Sequence, residues 1–165
     1  MLRIFCRERR RQKVKQEEIT QRLFRFIKNS PTAFHAVREI GRELERAGYK
    51  ALKETDAWGI EPGGRYYVTR NDSTIIAFNI GESIEERRFR IVASHSDSPA
   101  FKVKENAELE CSDRYMRLNT EGYGGMICST WLDRPLSVAG RVVIKEGDGF
   151  CIKLVDLDRD LVLIP

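Results

Sequence analysis

The stretch Phe89-Arg-Ile-Val-Ala-Ser-His-Ser-Asp-Ser-Pro99 combines a bulky apolar centre with a short polar motif. The apolar part, Phe89 to Ser94, predicts a strand buried inside a sheet. His95 and Asp97 follow it directly, and open α/β sheets bind their ligands at the carboxyl ends of strands. The pattern therefore predicts an α/β fold with a candidate site at the end of this strand.

The residue types at His95 and Asp97 suit a metal centre. A neutral imidazole binds Zn²⁺ at about 2.0–2.1 Å, and a carboxylate two residues later can orient the ring or a catalytic base. The simpler alternative is a histidine and an aspartate that only hydrogen-bond at a strand end and cap the next turn. Because H-x-[DE] patterns arise by chance, the two residues alone leave both interpretations open.

Two helices are predicted before the strands. Apolar residues recur at helical spacing over residues 19–27, after an acidic first turn. A second helix is predicted to have Ser30 as its N-cap and Pro31 at its first position, and to end near Gly48. Its buried face consists of Phe34, Val37, Ile40 and Leu44. His35, one position off that face, is predicted to be a partly buried structural histidine.

The remaining chain reads as strands and turns. Runs rich in β-forming residues at 65–69 and 74–79, joined by a polar turn, predict a hairpin. Further strands are predicted at 101–104, 115–118, 138–145 and 150–155. The chain stops on the apolar run Leu161 to Pro165 without a polar cap, so we expect a sequence that is cut off within a longer fold.

Composition and cysteine usage narrow the class of protein. The 165 residues are 41% apolar and 33% charged, and no apolar run approaches the ~20 residues that span a bilayer. The N-terminus shows no apolar signal region, so a cytoplasmic location is predicted, with no membrane partner. No two cysteines form a C-x-x-C pair, and free thiols are predicted at Cys6, Cys111, Cys128 and Cys151.

Positive charge is concentrated at the front of the chain. Residues 1–28 hold ten Lys or Arg against three Glu, although the net charge of the whole chain is only +4. We interpret residues 1–15 as a solvated basic extension, with contact to nucleic acid or an acidic partner as the alternative. Without an aromatic stripe or zinc-finger spacing, nucleic-acid binding is not favoured. Asp133 and Arg134 are interpreted as a charged pair that holds a loop, with a ligand role as the alternative.

Three separated segments resemble the aspartyl aminopeptidase family of two-zinc exopeptidases, in the family's order. These segments are Asn29 to Val37, Ile91 to Pro99 and Ser129 to Val142. The resemblance runs from about Glu18 to the end and covers only the N-terminal part of the family. It implies that residues 16–104 are the front part of an α/β/α zinc-peptidase domain. Residues 105–165 would then be the first strands of an inserted β-rich domain, used for assembly and for closing over the active site.

The resemblance also implies roles for His95-Ser96-Asp97, which we call the strand-end motif because it follows the predicted strand. The family's first zinc-binding histidine falls on His95 and its catalytic aspartate on Asp97. The other ligands and the general base are expected after residue 165, so the chain alone is expected to bind Zn²⁺ weakly at most and to be inactive. The implied activity of the intact protein is removal of an N-terminal, preferentially acidic, residue from a peptide. The implied enzyme carries two Zn²⁺ per active site and is a homo-oligomer.

In the third segment and the residues directly before it, the sequence departs from the eukaryotic pattern and is closer to the bacterial branch. The departures are Met126 for a glycine, Cys128 for a tryptophan, Leu132 for a phenylalanine and Pro135 for an aspartate. A second hypothesis stays open beside the peptidase. In that hypothesis the chain is a non-catalytic assembly or interaction module that binds a partner through its basic N-terminal arm.

Overall fold

The computed structural model of the protein describes residues 16–82, 89–112 and 115–165. The chain divides into two compact units. The first unit holds the described residues up to Ser96 together with Gly140–Val155, and the second holds Asp97–Ala139 and Asp156–Pro165. The predicted basic extension, residues 1–15, lies outside the described residues.

Both predicted helices are present. Helix α1 covers residues 16–28 of the described chain, and helix α2 is Ala33–Arg46. The apolar side of α1 is more than half exposed at Ile19, Leu23 and Ile27. By contrast, α2 buries Ala36 and Val37, and these two residues contribute to the core of the first unit.

The N-terminal cap of α2 differs from the sequence prediction. Thr32, not Ser30, precedes the helix in extended backbone, and its hydroxyl accepts a hydrogen bond from the backbone N–H of His35 at 3.4 Å. The hydroxyl of Ser30 is buried and has no hydrogen-bond partner in the described part of the chain. Both residue types cap helices well, so the prediction of Ser30 was wrong by two positions.

The C-terminus of α2 follows the prediction. Gly48 adopts a positive φ of 84°, and the N–H of Tyr49 then reaches the carbonyl of Leu44 at 3.0 Å. This bond gives the carbonyl of Leu44 a second donor besides the N–H of Ala47 and closes the helix end.

A three-stranded sheet follows in the first unit. Its strands are β1 (Lys50–Leu52), β2 (Arg65–Arg70) and β3 (Thr74–Asn79), in the order β1-β2-β3. Strands β1 and β2 are parallel, whereas β2 and β3 form the predicted antiparallel hairpin, with Tyr66 opposite Phe78. The hairpin prediction is confirmed.

Strand β2 is the centre of this unit because both of its faces are covered. Successive side chains of a strand point to opposite faces, yet Tyr66, Tyr67 and Val68 are all at most 8% exposed. The ring of Tyr66 packs 5.7 Å from that of Phe78, between centroids. On the other face, the hydroxyl of Tyr67 donates to Glu45 Oε1 on α2 at 2.7 Å.

The remaining predicted strands are present, and most are longer than the sequence suggested. Strands β4 (Ala100–Ser112) and β5 (Tyr115–Tyr123) form an antiparallel pair in the second unit. Strands β6 (Ala139–Glu146) and β7 (Gly149–Asp156) form another two-stranded sheet. The chain therefore begins with a helical pair and continues as strands, as predicted.

The predicted buried strand at Phe89 to Ser94 is not formed. Residues 89–99 have no regular secondary structure, and Phe89, Ile91 and Val92 are 85%, 85% and 99% exposed. A buried strand needs hydrogen-bonded neighbours, and in the described chain no strand pairs with this segment. The apolar content of the segment was correctly identified, but its burial depends on partners that local sequence does not supply.

Neither described helix is long and apolar enough to cross a membrane.

Replacing Thr32 by Ala should lower the free energy of unfolding by about 1 kcal/mol, because the replacement removes the cap of α2. Ser30→Ala is the matched control and should have a much smaller effect, since its hydroxyl makes no hydrogen bond to any described residue. Urea denaturation followed by circular dichroism measures both. A larger loss for Ser30→Ala would assign the cap to Ser30.

The stability of the first unit should fall at alkaline pH through Tyr67. Burial, and then the hydrogen bond and charge of Glu45, raise the pKa of Tyr67 from 10.0 to about 12. The folded state therefore favours the neutral phenol, and this contribution is complete below pH 10 and lost as the pH rises towards 12. Urea midpoints between pH 9 and 12 should show a smaller alkaline loss for Tyr67→Phe than for the wild type. Tyr115→Phe, which removes a hydroxyl from a side chain that is mostly exposed, should behave like the wild type.

Candidate functional site

The first half of the strand-end motif is held by the β2–β3 hairpin. His95 is exposed on the irregular segment, and the hydroxyl of the next residue, Ser96, donates to the carbonyl of Ser73 at 2.8 Å. Ser73 lies in the turn between β2 and β3, directly before the first residue of β3. The residue next to His95 is thus hydrogen-bonded to the β2–β3 hairpin, the best-packed element of the first unit.

The second half of the motif belongs to the second unit, where Asp97 is half-buried. The hydroxyl of Tyr123 donates to Asp97 Oδ2 at 2.6 Å. This length is typical of an O–H donor on an ionised carboxylate. The hydrogen bond, and secondarily the charge of Asp97 and burial, raise the pKa of Tyr123. Its phenol therefore stays protonated, and able to donate, throughout the neutral range.

A glycine turn fixes the end of β5, where Tyr123 lies. Gly124 has a positive φ of 75°, a conformation that side chains other than that of glycine rarely adopt. A Cβ atom at this position would also lie 3.6 Å from Pro99, which follows the motif. Close to this turn in the same unit, the rings of Phe101 and Trp131 meet edge to face with centroids 5.6 Å apart.

The loop that contains Asp133 and Arg134 is held through backbone groups. Arg134 Nη1 donates to the carbonyl of Thr130 at 3.4 Å, and the N–H of Asp133 donates to the carbonyl of Ile164 at 2.8 Å. The prediction that this pair stabilises a loop was right in its result and wrong in its mechanism. The two side chains do not pair with each other; each residue bonds a separate carbonyl.

The other histidine, His35, is more deeply buried than predicted. It is 2% exposed, and its Nδ1 lies 2.8 Å from Thr32 Oγ1 at the start of α2. This environment suits a structural histidine that supports the helix N-terminus. It offers no access for a metal ion or a substrate.

The donor set of the described residues does not complete a zinc site. A catalytic zinc takes about three protein ligands, and no group of three or more His, Cys, Asp or Glu comes together in residues 16–82, 89–112 and 115–165. His95 supplies one suitable imidazole and Asp97 a neighbouring carboxylate. Cys111, Cys128 and Cys151 are free thiols, as predicted, and Cys6 lies outside the described residues.

A groove of about 370 Å³ lies in the first unit. It is bordered by α2, β2 and β7, with Phe34, Tyr67 and Leu154 among its walls. Phe34 also contacts Arg141 of the same unit, whose guanidinium lies 4.2 Å from the centroid of the Phe34 ring. Neither His95 nor Asp97 lines this groove, so it is separate from the strand-end motif.

The sequence pattern of the family described as "Aminopeptidase I zinc metalloprotease (M18)" matches residues 26–165. The match covers most of the chain, and the chain therefore belongs to this family. The resemblance to aspartyl aminopeptidases and the assignment as an N-terminal part are confirmed.

A bacterial relative and two solved structures give the extent of the similarity. The chain is 47% identical over 147 residues to "Probable M18 family aminopeptidase 2" of Clostridium novyi (strain NT), which covers 87% of this chain and 34% of the relative. The chain thus spans about a third of the length of the curated relatives it matches.

The first structure is the cryo-EM structure of the Ape4 and Nbr1 complex, with a TM-score of 0.81 and 42% identity. This match covers 85% of this chain and 27% of that one. The second is the S. cerevisiae mApe1 dodecamer, with a TM-score of 0.75 and 28% identity, covering 87% and 34%. The predicted α/β class, as the front part of a zinc-peptidase domain, is confirmed.

Two residues that support the motif were not found from the sequence. The sequence analysis gave no role to Ser96, although it lies within the motif, and none to Tyr123. Tyr123 and Asp97 are 26 residues apart, so no local spacing links them. A hydroxyl-bearing aromatic residue directly before a glycine turn was the one available signal.

The 165-residue chain should retain fewer than one Zn²⁺ per chain after dialysis, because zinc prefers about four donors and the motif supplies at most two. Metal analysis by atomic emission checks this expectation, with His95→Ala as the control for any zinc held by the motif. Retention of one or two zinc ions would contradict it. Zinc retained equally by His95→Ala would come from other groups, such as the thiols.

Proposed function

We propose that this chain is the N-terminal part of a zinc aminopeptidase that removes N-terminal residues, preferentially acidic ones, from peptides. The observation that carries the proposal is the family match over residues 26–165, which includes the motif His95-Ser96-Asp97. The curated relatives are named as aminopeptidases, and the family is described as a zinc metalloprotease. The acidic preference rests on the resemblance to aspartyl aminopeptidases.

In this proposal His95 is a metal ligand. Its exposed imidazole is accessible to an ion, and Ser96 holds the adjacent backbone at the hairpin turn. Two zinc ions, when bound, would polarise the scissile carbonyl and lower the pKa of a shared water. The other ligands and the general base would come from the family's sequence outside the third that this chain matches.

Asp97 is the proposed catalytic aspartate. Its carboxylate is half-buried, where its charge acts more strongly than at the open surface. Such a carboxylate can orient a ligating imidazole and raise its basicity, and it does so best when its own rotamer is fixed. The hydrogen bond from Tyr123 supplies a fixed partner of this kind.

The chain by itself is proposed to be inactive. The described residues do not bring together three donors, and the chain spans about a third of its curated relatives. Without the remaining ligands the motif lacks a stable metal, and without the metal no water is activated for attack on the peptide bond.

Assembly, domain division and location complete the proposal. We propose that the intact protein is a homo-oligomer, and one structural neighbour of this chain is a dodecamer. The division into residues 1–15, 16–104 and 105–165, and the cytoplasmic location, are proposed on the sequence alone. Peptides are the proposed substrates.

The decisive experiment uses the natural gene product that carries residues 1–165. His95→Ala should abolish release of N-terminal Asp or Glu from a short peptide, because it deletes a metal ligand. Asp97→Asn should keep the metal and lower turnover about 10–100-fold, because the shape remains while the charge is lost. A chromatographic assay of the released amino acid, with and without a chelator, measures both effects.

Asp148→Asn is the matched control, since it neutralises an exposed carboxylate in the β6–β7 turn. Its activity should equal that of the wild type. Near-normal activity of His95→Ala would show that the motif is structural and that the family role has been placed on the wrong residue. A wild-type protein with bound zinc and no peptidase activity would favour the non-catalytic assembly module instead.

A further inference from the structure

We propose that Tyr123 is a positioning residue whose hydroxyl fixes the orientation of the Asp97 carboxylate. The inference deepens the proposed function and rests on it for its consequence in catalysis. Its geometric part, the restraint of Asp97 by Tyr123, stands on the described residues alone.

The contact is specific in both length and placement. Tyr123 Oη lies 2.6 Å from Asp97 Oδ2, a length typical of a hydroxyl bound to an ionised carboxylate. The carboxylate oxygen that the Tyr123 hydroxyl engages is Oδ2. A planar carboxylate held at one oxygen has its rotation about the Cβ–Cγ bond restricted, which fixes the direction of the second oxygen.

The backbone around Tyr123 limits how far the hydroxyl can move. Tyr123 is the last residue of β5, and it pairs with Ala100 of β4, three residues after Asp97. On its other side, Gly124 makes the tight turn that packs against Pro99. The donor and the acceptor are therefore anchored to the same strand pair, and the hydrogen bond spans a short, defined distance.

The same strand provides a matched comparison. Tyr115 begins β5, and it is 73% exposed, whereas Tyr123 is 46% exposed. Tyr115→Phe and Tyr123→Phe are the same chemical change, the loss of one hydroxyl, at two positions of β5. A general effect on the strand would appear in both variants, whereas the restraint of Asp97 would be lost only in Tyr123→Phe.

The first experiment uses the 165-residue chain and needs no metal. Three-bond nuclear magnetic resonance couplings to Asp97 Cγ, in protein labelled at aspartate, report the populations of its side-chain rotamers. We expect one dominant rotamer in the wild type and in Tyr115→Phe, and a measurable change of these couplings in Tyr123→Phe. Unchanged couplings in Tyr123→Phe would overturn the proposal.

The reciprocal variant keeps the test valid if Tyr123→Phe fails to fold. Asp97→Asn removes the charged acceptor, and the pKa of Tyr123, followed by ultraviolet absorbance, should then fall towards its ordinary value. A pKa of Tyr123 that is unchanged in Asp97→Asn would show that the two groups do not interact, and would also overturn the proposal.

The second experiment uses the natural gene product and peptide hydrolysis. Tyr123→Phe should lower kcat about tenfold with little change in KM or in zinc content, because only the orientation of Asp97 is altered. If the wild type is active and Tyr123→Phe is equally active, the role of Tyr123 is refuted and the proposed function is supported. A wild type without activity would refute the proposed function, and the rotamer measurement would still decide whether Tyr123 restrains Asp97.

Discussion

The burial of strand β2 on both faces is the constraint on which the first unit depends. Three successive residues, Tyr66, Tyr67 and Val68, are buried although a strand directs neighbours to opposite sides. Coverage of both sides requires helix α2 on one face and the aromatic residues around Phe78 on the other. Gly64 contributes to this packing, because a Cβ atom at its position would lie 2.4 Å from the ring of Tyr66. A larger residue there would displace a side chain at the centre of the core.

The turn at the end of β2 makes hydrogen bonds to two other segments of the unit. Asn71, in a left-handed conformation with φ 52°, accepts a hydrogen bond from Arg141 Nη1 at its carbonyl, at 3.0 Å. Two residues later, the carbonyl of Ser73 accepts the hydroxyl of Ser96. A single tight turn thereby holds strand β6 and the segment that leads to His95. Ser96, the middle residue of the motif, is thus bonded to the hairpin although its own segment has no regular secondary structure.

The sequence predicted the elements whose information is local. The hairpin of β2 and β3 was found from two β-rich runs and the turn between them, and α2 from its apolar period and Gly48. The predictions were wrong where two neighbouring residues could play the same role, or where residues far along the chain determine the structure. Ser30 and Thr32 are equally good caps by residue type, and only the distance from Thr32 to the N–H of His35 separates them. Residues 89–94 have the composition of a buried strand, but hydrogen-bonded neighbours far along the chain determine whether such a segment is buried.

The candidate site shows the same division between local and distant information. His95 and Asp97 were found because they are two residues apart and follow an apolar run. Tyr123 was missed because its relation to Asp97 depends on the register that places the end of β5 opposite Ala100. A zinc site needs about three ligands, and in this family fold they are expected from separate segments, so no single motif can reveal it. What one segment can prepare is the orientation of its own groups: a carboxylate already restrained by a tyrosine loses less conformational entropy when its partners arrive. In the proposed enzyme, the hydrogen bond between Tyr123 and Asp97 would therefore favour assembly of the complete centre.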